Sequence, residues 1–280
     1  MKLKTTPFFS FFVPKSTQKC STLSQEYVGP TNMDTPKRLA VFDFDSTICK
    51  DNSDNVIANL LPKDVLKEYK RVQKFSVTGW TKYMQGIFEL LHTVKIGEAK
   101  MIEAIATIPP TEGIPTLLRE LVDMNFDSII ISDANSFFIQ KWLEQQHLGY
   151  CVKQVFTNPA RFEDDLLKIE MYHVQRTCSL STINLCKGQI LDEFVQTQRE
   201  KDIEYSKIVY VGDGVNDFCP MLRLNAGDLA CCRKGFSCAE IVKNVLMKKP
   251  YKNKLYEINA DVLMWDNGLD ILNKIKETAK

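Results

Sequence analysis

Two pairs of aspartates follow apolar runs that have the composition of buried strands. Asp43 and Asp45 lie in VFDFDST, and Asp213 and Asp217 lie in YVGDGVND. Carboxylates this close together repel one another unless a cation or a shared proton offsets their charge. Oxygen ligands of this kind suit Mg²⁺, which prefers one or two carboxylates together with water and substrate phosphate. The pattern therefore indicates a magnesium and phosphate site, with solvated acids at a strand end as the alternative for the first pair alone.

Two further residues can supply donors to a phosphate group. Ser132 ends the apolar segment IIIS, and Lys187 precedes a helical stretch in NLCKG. Each is weak evidence by itself, because a serine at a strand end is more often a cap and a lysine is more often a solvated surface residue. Together with the aspartates, in this order, they predict a site for a phosphate ester.

The elements that must position these residues alternate along the chain. The apolar run that begins at Arg38 predicts a strand, and the same pattern recurs at residues 127–132, 152–157, 207–212, 229–232 and 261–265. Helical spacing of apolar residues predicts helices over 114–124, 136–147 and 189–199. This alternation predicts an α/β fold with a doubly wound parallel sheet. Such sheets bind ligands at the carboxyl ends of their strands, where the acids are expected.

One segment interrupts the alternation. Residues 49–108 contain three helical patterns, at 65–75, 80–91 and 98–108, and are far longer than an ordinary crossover. We predict a helical cap here, inserted into a catalytic core formed by residues 37–48 and 109–280. Residues 1–36 show neither helical nor alternating periodicity and are expected to be a disordered or dispensable tail, with an organellar presequence as the alternative.

Composition excludes several classes of protein. The 280 residues are 44% hydrophobic and 25% charged, which argues against disordered, collagenous and coiled-coil proteins. The 36 basic and 35 acidic residues form no basic stripe, so we expect a small-molecule partner and no nucleic acid.

No apolar run is long enough to cross a membrane. The nine cysteines are scattered and odd in number, which favours reduced thiols and a cytoplasmic location. The sequence does not indicate an oligomeric state.

The ordered motifs DFDST, Ser132, Lys187 and GDGVND resemble those of the haloacid dehalogenase superfamily of phosphotransferases, which use an aspartate as nucleophile. The longer segments DFDSTICKDNSDNV, IIISDANSFFI, FTNPARF, NLCKG and GDGVNDFCP are similar to the phosphoethanolamine/phosphocholine phosphatase family. That family has a branch described as pyridoxal phosphate phosphatases. The resemblance extends from about Leu39 to about Asp270 and implies a Rossmann-like core with a small cap.

The resemblance implies catalytic roles for four residues. Asp43 is the expected nucleophile and would form an aspartyl-phosphate, which water then hydrolyses. Asp45 would protonate the leaving-group oxygen and afterwards activate that water. Ser132 and Lys187 would bind the transferring phosphoryl group and stabilise its charge.

The resemblance also implies a metal site and a substrate site. Mg²⁺ is expected on the Asp43 side chain, the Asp45 backbone carbonyl and Asp213, while Asp217 would position metal-bound water or the lysine. Asp54 and Asp133 match positions that face the far end of the substrate, where two acids would suit a cationic head group. The alternatives are that Asp54 caps a cap helix and that Asp133 binds backbone amides.

These inferences predict a Mg²⁺-dependent phosphomonoesterase that acts on phosphoethanolamine, phosphocholine or pyridoxal 5′-phosphate. Phosphoserine and pyrophosphate are alternative substrates for the same residues. A phosphotransferase with another acceptor and a catalytically silent binding protein are the remaining alternatives.

Overall fold

A parallel sheet forms the centre of the molecule. The computed structural model describes residues 36–74 and 79–278, together with the backbone of residues 10–11. Within these residues, seven strands form one sheet in the order β1-β4-β3-β2-β7-β8-β9, and every neighbouring pair is parallel. The strands β5 and β6 form a separate antiparallel hairpin. The strands are β1 (Ser10–Phe11), β2 (Arg38–Phe42), β3 (Phe126–Asn135), β4 (Gln154–Asn158), β5 (Ala160–Glu163), β6 (Leu166–Ile169), β7 (Ile208–Gly212), β8 (Leu229–Arg233) and β9 (Asp261–Trp265).

Helices cover both faces of the sheet. The α-helices of the described residues are α1 (Ser53–Ala58), α2 (Lys63–Val72), α3 (Trp80–Thr93), α4 (Glu98–Ala106), α5 (Ile114–Asp123), α6 (Ser136–Gln145), α7 (Lys187–Arg199), α8 (Phe218–Met221), α9 (Ser237–Leu246) and α10 (Gly268–Thr278), and the last six cover the sheet. Successive side chains of β2 point to opposite faces and enter two different apolar clusters. Ala40 and Phe42 pack with α5, α6 and α10, whereas Leu39 and Val41 pack with α7, α8 and α9. The doubly wound α/β fold predicted from the sequence is thereby confirmed.

The four helices α1 to α4 occupy the segment predicted to be the cap. Their apolar side chains share a cluster with the core, as in the edge-to-face contact of Phe88 and Phe138, whose ring centroids lie 5.9 Å apart. The side-chain amide of Gln85 on α3 forms two hydrogen bonds with the backbone of β6. Its oxygen accepts from the Ile169 backbone amide at 3.0 Å, and its nitrogen donates to the Leu167 carbonyl at 3.4 Å. The predicted cap segment, residues 49–108, therefore contacts the β5–β6 hairpin as well as the core.

The predicted tail lies almost entirely outside the described residues. Ser10 and Phe11 pair with Gln154 and Val155 at the edge of the sheet, and the prediction for residues 1–36 otherwise stays a prediction. Among the described residues, none of the helices has the length and apolarity that crossing a membrane requires.

Candidate active site

A cavity of about 690 Å³ opens at the carboxyl ends of β2, β3 and β7, beneath the cap. Six of the acidic and hydroxyl residues predicted from the sequence line it: Asp43, Asp45, Asp54, Ser132, Asp133 and Asp213. The other two predicted residues, Lys187 and Asp217, are fully buried directly behind it. The structure therefore brings the predicted residues to one end of the sheet, although 174 positions separate Asp43 from Asp217 in the chain (217 − 43 = 174).

Asp43 is held by both of its carboxylate oxygens. It directly follows β2, and its backbone amide donates to the Val211 carbonyl at 2.9 Å, which continues the pairing of β2 with β7. One carboxylate oxygen accepts from the Phe44 backbone amide at 2.7 Å, and the other lies 2.7 Å from Lys187 Nζ. The side chain is therefore fixed at the floor of the cavity.

Lys187 is the buried positive charge of the site. It begins α7, and its Nζ lies 2.7 Å from Asp43 Oδ2 and 2.8 Å from Asp217 Oδ1. Burial by itself lowers the pKa of this lysine, but the attraction of Asp217 and Asp43 outweighs burial and holds the pKa above its usual value. Lys187 is therefore charged at neutral pH and able to stabilise an anionic group beside Asp43.

Asp217 uses both carboxylate oxygens within the protein. Oδ1 accepts from Lys187 Nζ and from the Tyr210 hydroxyl, the latter at 2.7 Å. Oδ2 accepts from the backbone amides of Asp213 and Gly214 at 3.0 and 2.8 Å. Of the two roles expected for Asp217, these contacts favour the positioning of Lys187.

The carboxylates fit a hard divalent cation. Oxygens of Asp43, Asp213 and Asp217 all lie within 4.8 Å of one another. Burial, followed by the charge of Asp217, raises the pKa of Asp213 to about 7, and burial raises the pKa of Asp43 well above its usual range. A cation among these groups would offset both the burial and the mutual repulsion, and carboxylates are ligands that Mg²⁺ prefers.

Asp45 lies where the chain enters the cap. Its Oδ1 accepts from the Ser53 backbone amide at 2.8 Å, and its Oδ2 accepts from the Asn52 side chain at 3.2 Å. Burial raises the pKa of Asp45 to about 6. A carboxyl group with this pKa exchanges its proton close to neutral pH, as a residue that acts first as an acid and then as a base requires.

Asp54 is a buried acid on the cap side of the cavity. Its Oδ2 accepts from the Trp80 indole at 2.6 Å, and its Oδ1 has no hydrogen-bond partner among the residues that the structure describes. The capping role considered for Asp54 belongs instead to Asn52, whose side chain accepts from the Asn55 amide. Burial, followed by the charge of Asp45, raises the pKa of Asp54 to about 8.

Ser132 and Asp133 lie near the carboxyl end of β3, at the cavity wall. Asp133 accepts from the side chains of Asn184, Asn216 and Thr182 at 2.8, 3.0 and 3.3 Å. These donors are side chains, not the backbone amides considered from the sequence, and they show that Asp133 ties two loops to the wall. The buried Ser132 hydroxyl accepts from the Ala134 amide at 3.2 Å and also lines the cavity.

Sequence reasoning missed several polar and aromatic residues of the site: Trp80, Tyr210, Asn184 and Asn216. Asn216 could have been found, because it lies inside the GDGVND motif. Trp80 carried no local signal, because it meets Asp54 only through the packing of α1 against α3.

Comparisons with known proteins identify the family of the chain. The family described as "Putative Phosphatase" matches residues 38–279. The pyridoxal phosphate phosphatase of Homo sapiens is 36% identical over 244 residues, which cover 86% of this chain and 98% of that protein. The phosphoethanolamine/phosphocholine phosphatase of Gallus gallus is 31% identical over 258 residues, which cover 90% of this chain and 93% of that protein.

Solved structures share the fold. A phosphoserine phosphatase determined as an analogue of its phospho-aspartyl intermediate superposes with a TM-score of 0.57. It is 22% identical, and the match covers 86% of this chain and 99% of that one. The family predicted from the sequence motifs is confirmed: the chain belongs to the "Putative Phosphatase" family and is a phosphatase, with the fold of the solved phosphoserine phosphatase.

Proposed function

We propose that the protein is a Mg²⁺-dependent phosphomonoesterase for esters of small cationic alcohols, with phosphocholine and phosphoethanolamine as substrates. The single observation that carries the substrate class is the buried carboxyl of Asp54, which lies beside Trp80 in the same cavity as Asp43. A phosphate group at Asp43 leaves the rest of a small ester within reach of an acid and an aromatic face.

The proposed mechanism follows from the positions of the acids, the lysine and the serine at the floor of the cavity. An oxygen of Asp43 attacks phosphorus and forms an acyl phosphate as the ester bond breaks, and the departing alcohol takes the proton of Asp45. The Asp45 carboxylate then removes a proton from water, which attacks the same phosphorus and releases phosphate and free Asp43. Lys187 and Ser132 stabilise the charge of the phosphoryl oxygens throughout. Mg²⁺ on Asp43, Asp213 and the Asp45 carbonyl would neutralise further phosphoryl charge when bound.

The far end of the substrate is recognised by charge and by the aromatic ring. A choline or ethanolamine cation neutralises the ionised form of Asp54, which otherwise lacks a partner for one oxygen. The same cation is attracted to the face of Trp80, because a tryptophan ring carries negative charge on its face. Asp133 contributes by holding Asn184 and Asn216 in the wall of the cavity.

Pyridoxal 5′-phosphate is the second candidate. Relatives that carry this substrate in their names are 34–37% identical to the chain, compared with 27–31% for those named after phosphoethanolamine and phosphocholine. Trp80 also offers a surface on which a pyridine ring can stack. Phosphoserine is less favoured, because its carboxylate would approach the acid Asp54.

The test is phosphate release by the purified protein from phosphocholine, phosphoethanolamine, pyridoxal 5′-phosphate, phosphoserine and pyrophosphate. We expect release from the first two to require Mg²⁺ and to disappear with chelator or in Asp43→Asn. At pH 9, where Asp54 is ionised, Asp54→Asn should raise the KM for phosphocholine about tenfold, which corresponds to about 1.4 kcal/mol of binding. A folded wild-type protein that releases phosphate only from pyridoxal 5′-phosphate would select the second candidate, and release from none would refute both.

A further inference from the structure

Three cysteine thiols meet on the side of the catalytic turns away from the phosphate cavity. Cys178 lies in the loop before α7, Cys186 directly precedes α7, and Cys219 lies in α8. Cys219 Sγ is 3.5 Å from Cys178 Sγ and 3.9 Å from Cys186 Sγ, and all three sulfurs lie within 4.8 Å of one another. None of them lines the phosphate cavity, and all three are free thiols.

The spacing of the sulfurs matches a tetrahedral metal site. Zinc bound to cysteine has a Zn–S distance of about 2.3 Å, which places neighbouring sulfurs of a tetrahedron about 3.8 Å apart. The two measured separations lie on either side of that value. A fourth ligand is close at hand, because the Ser181 hydroxyl lies 3.2 Å from Cys186 Sγ.

The loop that carries Cys178 is folded around a buried side chain. The Gln175 amide oxygen accepts from the Cys178 backbone amide at 2.9 Å, and its nitrogen donates to the Thr182 carbonyl at 2.6 Å and to the Ser181 carbonyl at 3.3 Å. Gln175 is only 8% exposed. The position of Cys178 is thereby fixed before any ligand binds, which lowers the entropic cost of binding.

The surroundings of the cluster leave space for sulfur and supply positive charge. A Cβ atom at Gly188 would lie 2.7 Å from Cys219 Sγ and 3.2 Å from Arg223 Nε, so the glycine makes room for both groups. Arg223 lies beside Cys219, next to Gly188, and also forms an ion pair with Asp192 at 3.1 Å. Three thiolates and one Zn²⁺ carry a net charge of −1, which is attracted to this guanidinium.

We propose that Cys178, Cys186 and Cys219 bind one Zn²⁺, with Ser181 or a water as fourth ligand. Three Zn–S bonds form as three thiols lose their protons to solvent, and no oxidant or reductant is needed. The site is structural: Cys186 is adjacent to Lys187, and Cys219 follows Asp217 by two residues. Zinc would clamp the loop to the two turns that hold the buried ion pair. The proposal does not depend on the substrate assigned above.

Metal content and cobalt absorption test the site in the full chain. We expect about one zinc per protein after purification under reducing conditions, measured by elemental analysis. Replacement by Co²⁺ should give a thiolate-to-cobalt charge-transfer band. Both signals should be lost in Cys178→Ser/Cys219→Ser and kept in Cys151→Ser, which changes a buried cysteine outside the cluster.

A second variant separates this site from the phosphate site. Asp213→Asn should keep the zinc and the cobalt band, because it removes only a carboxylate at the cavity. With Mg²⁺ kept in excess, a zinc-selective chelator should lower the Tm of the wild type and of Asp213→Asn but should leave the Tm of Cys178→Ser unchanged. Absence of zinc and of the cobalt band from the reduced wild type, or their persistence in the double cysteine variant, would overturn the proposal. Fewer than nine titratable thiols in the metal-free protein after unfolding in denaturant would overturn it as well, in favour of a disulfide.

Discussion

Lys187 is fully buried and remains charged because two carboxylates face it, so its position depends on Asp217. Asp217→Asn should lower kcat about 10²- to 10³-fold, since the lysine loses the partner that aims it at the phosphoryl group. It should also lower the free energy of unfolding by about 3–5 kcal/mol, as expected when one partner of a buried ion pair is removed. Steady-state kinetics and urea unfolding measure the two effects.

Tyr210→Phe is the matched control for that variant. It removes one hydrogen bond to Asp217 and leaves the ion pair with Lys187 in place. We expect a loss of about 1–2 kcal/mol in the free energy of unfolding and less than a tenfold change in kcat. A loss of activity in Tyr210→Phe as large as that in Asp217→Asn would contradict the positioning role.

Ionisation of Asp54 should make the KM for phosphocholine depend on pH, and this effect can be measured separately from kcat. Its pKa of about 8 means that most molecules carry a neutral Asp54 at pH 7 and an ionised one at pH 9. The KM for phosphocholine should therefore fall as the pH rises from 7 to 9, because the choline charge does not titrate. In Asp54→Asn the KM should be independent of pH over this range, and an unchanged slope in the variant would rule out Asp54 as the group responsible.

The same ionisation should be visible in stability. Burial raises the pKa of Asp54 in the folded protein to about 8, well above that of an aspartate in the unfolded chain. The protonated form therefore stabilises the fold fully at low pH, and this stabilisation is lost as the pH rises through about 8. Asp54→Asn carries no such charge. We expect it to melt at a higher temperature than the wild type at pH 9, and the difference should shrink towards pH 6.

Residue types and motif order predicted most of the site but not all of it. Asp43, Asp45 and Asp213 could be found because each follows an apolar strand directly, and strand ends meet at one edge of a parallel sheet. The contact between Trp80 and Asp54 could not be found, because two helices must pack before these residues meet. For the same reason, the sequence alone does not predict that Cys219 lies beside Cys186, which is 33 residues away in the chain.

At the scale of elements, two glycines allow α10 to pack against the start of α5. A Cβ atom at Gly268 would lie 2.4 Å from the Gly113 carbonyl carbon, a distance that neither backbone can relieve without moving. Gly268→Ala should lower the free energy of unfolding by about 1–3 kcal/mol, as overpacking does. The kcat of the folded fraction should be unchanged, because neither glycine lines the cavity.

Gly97→Ala provides the comparison for this packing effect. A Cβ atom at Gly97 would meet nothing within 4 Å, so thermal melting should change much less than in Gly268→Ala. Equal losses of Tm in the two variants would contradict close packing at Gly268 as the cause.

Long periodic elements were predicted well, and short ones were missed. The helix expected over 189–199 begins two residues earlier, at Lys187, because Gly188 contributes no apolar signal. The β5–β6 hairpin was missed because its strands have four residues each and follow β4 closely. Its signal is the pair Asp164 and Asp165, whose φ values of 49° and 62° are those of a tight hairpin turn.

At the scale of the whole molecule, all the predicted site residues lie after residue 36. The family match begins at residue 38, and among the residues that the structure describes, none before Asp43 lines the cavity. We therefore predict that a chain starting at Met33 keeps the kcat and KM of the full chain. Comparison of the two proteins by steady-state kinetics and thermal melting tests this, and a loss of activity without a loss of folding would contradict it.

The sequence predicted the layers of the molecule but not the order of the strands. Apolar periodicity identifies β2, β3 and β7 as buried strands, yet it does not state that β2 lies between the other two. That order follows from the crossovers, and it is the order that brings Asp43 beside Asp213.

The three tryptophans of the chain lie in different surroundings, so intrinsic tryptophan fluorescence can report the binding of a ligand. Trp142 and Trp265 are fully buried, whereas Trp80 lines the phosphate cavity. Emission that responds to added ligand should therefore come from Trp80. Titration of Asp43→Asn with phosphocholine should give a dissociation constant from fluorescence alone, without turnover and without a label.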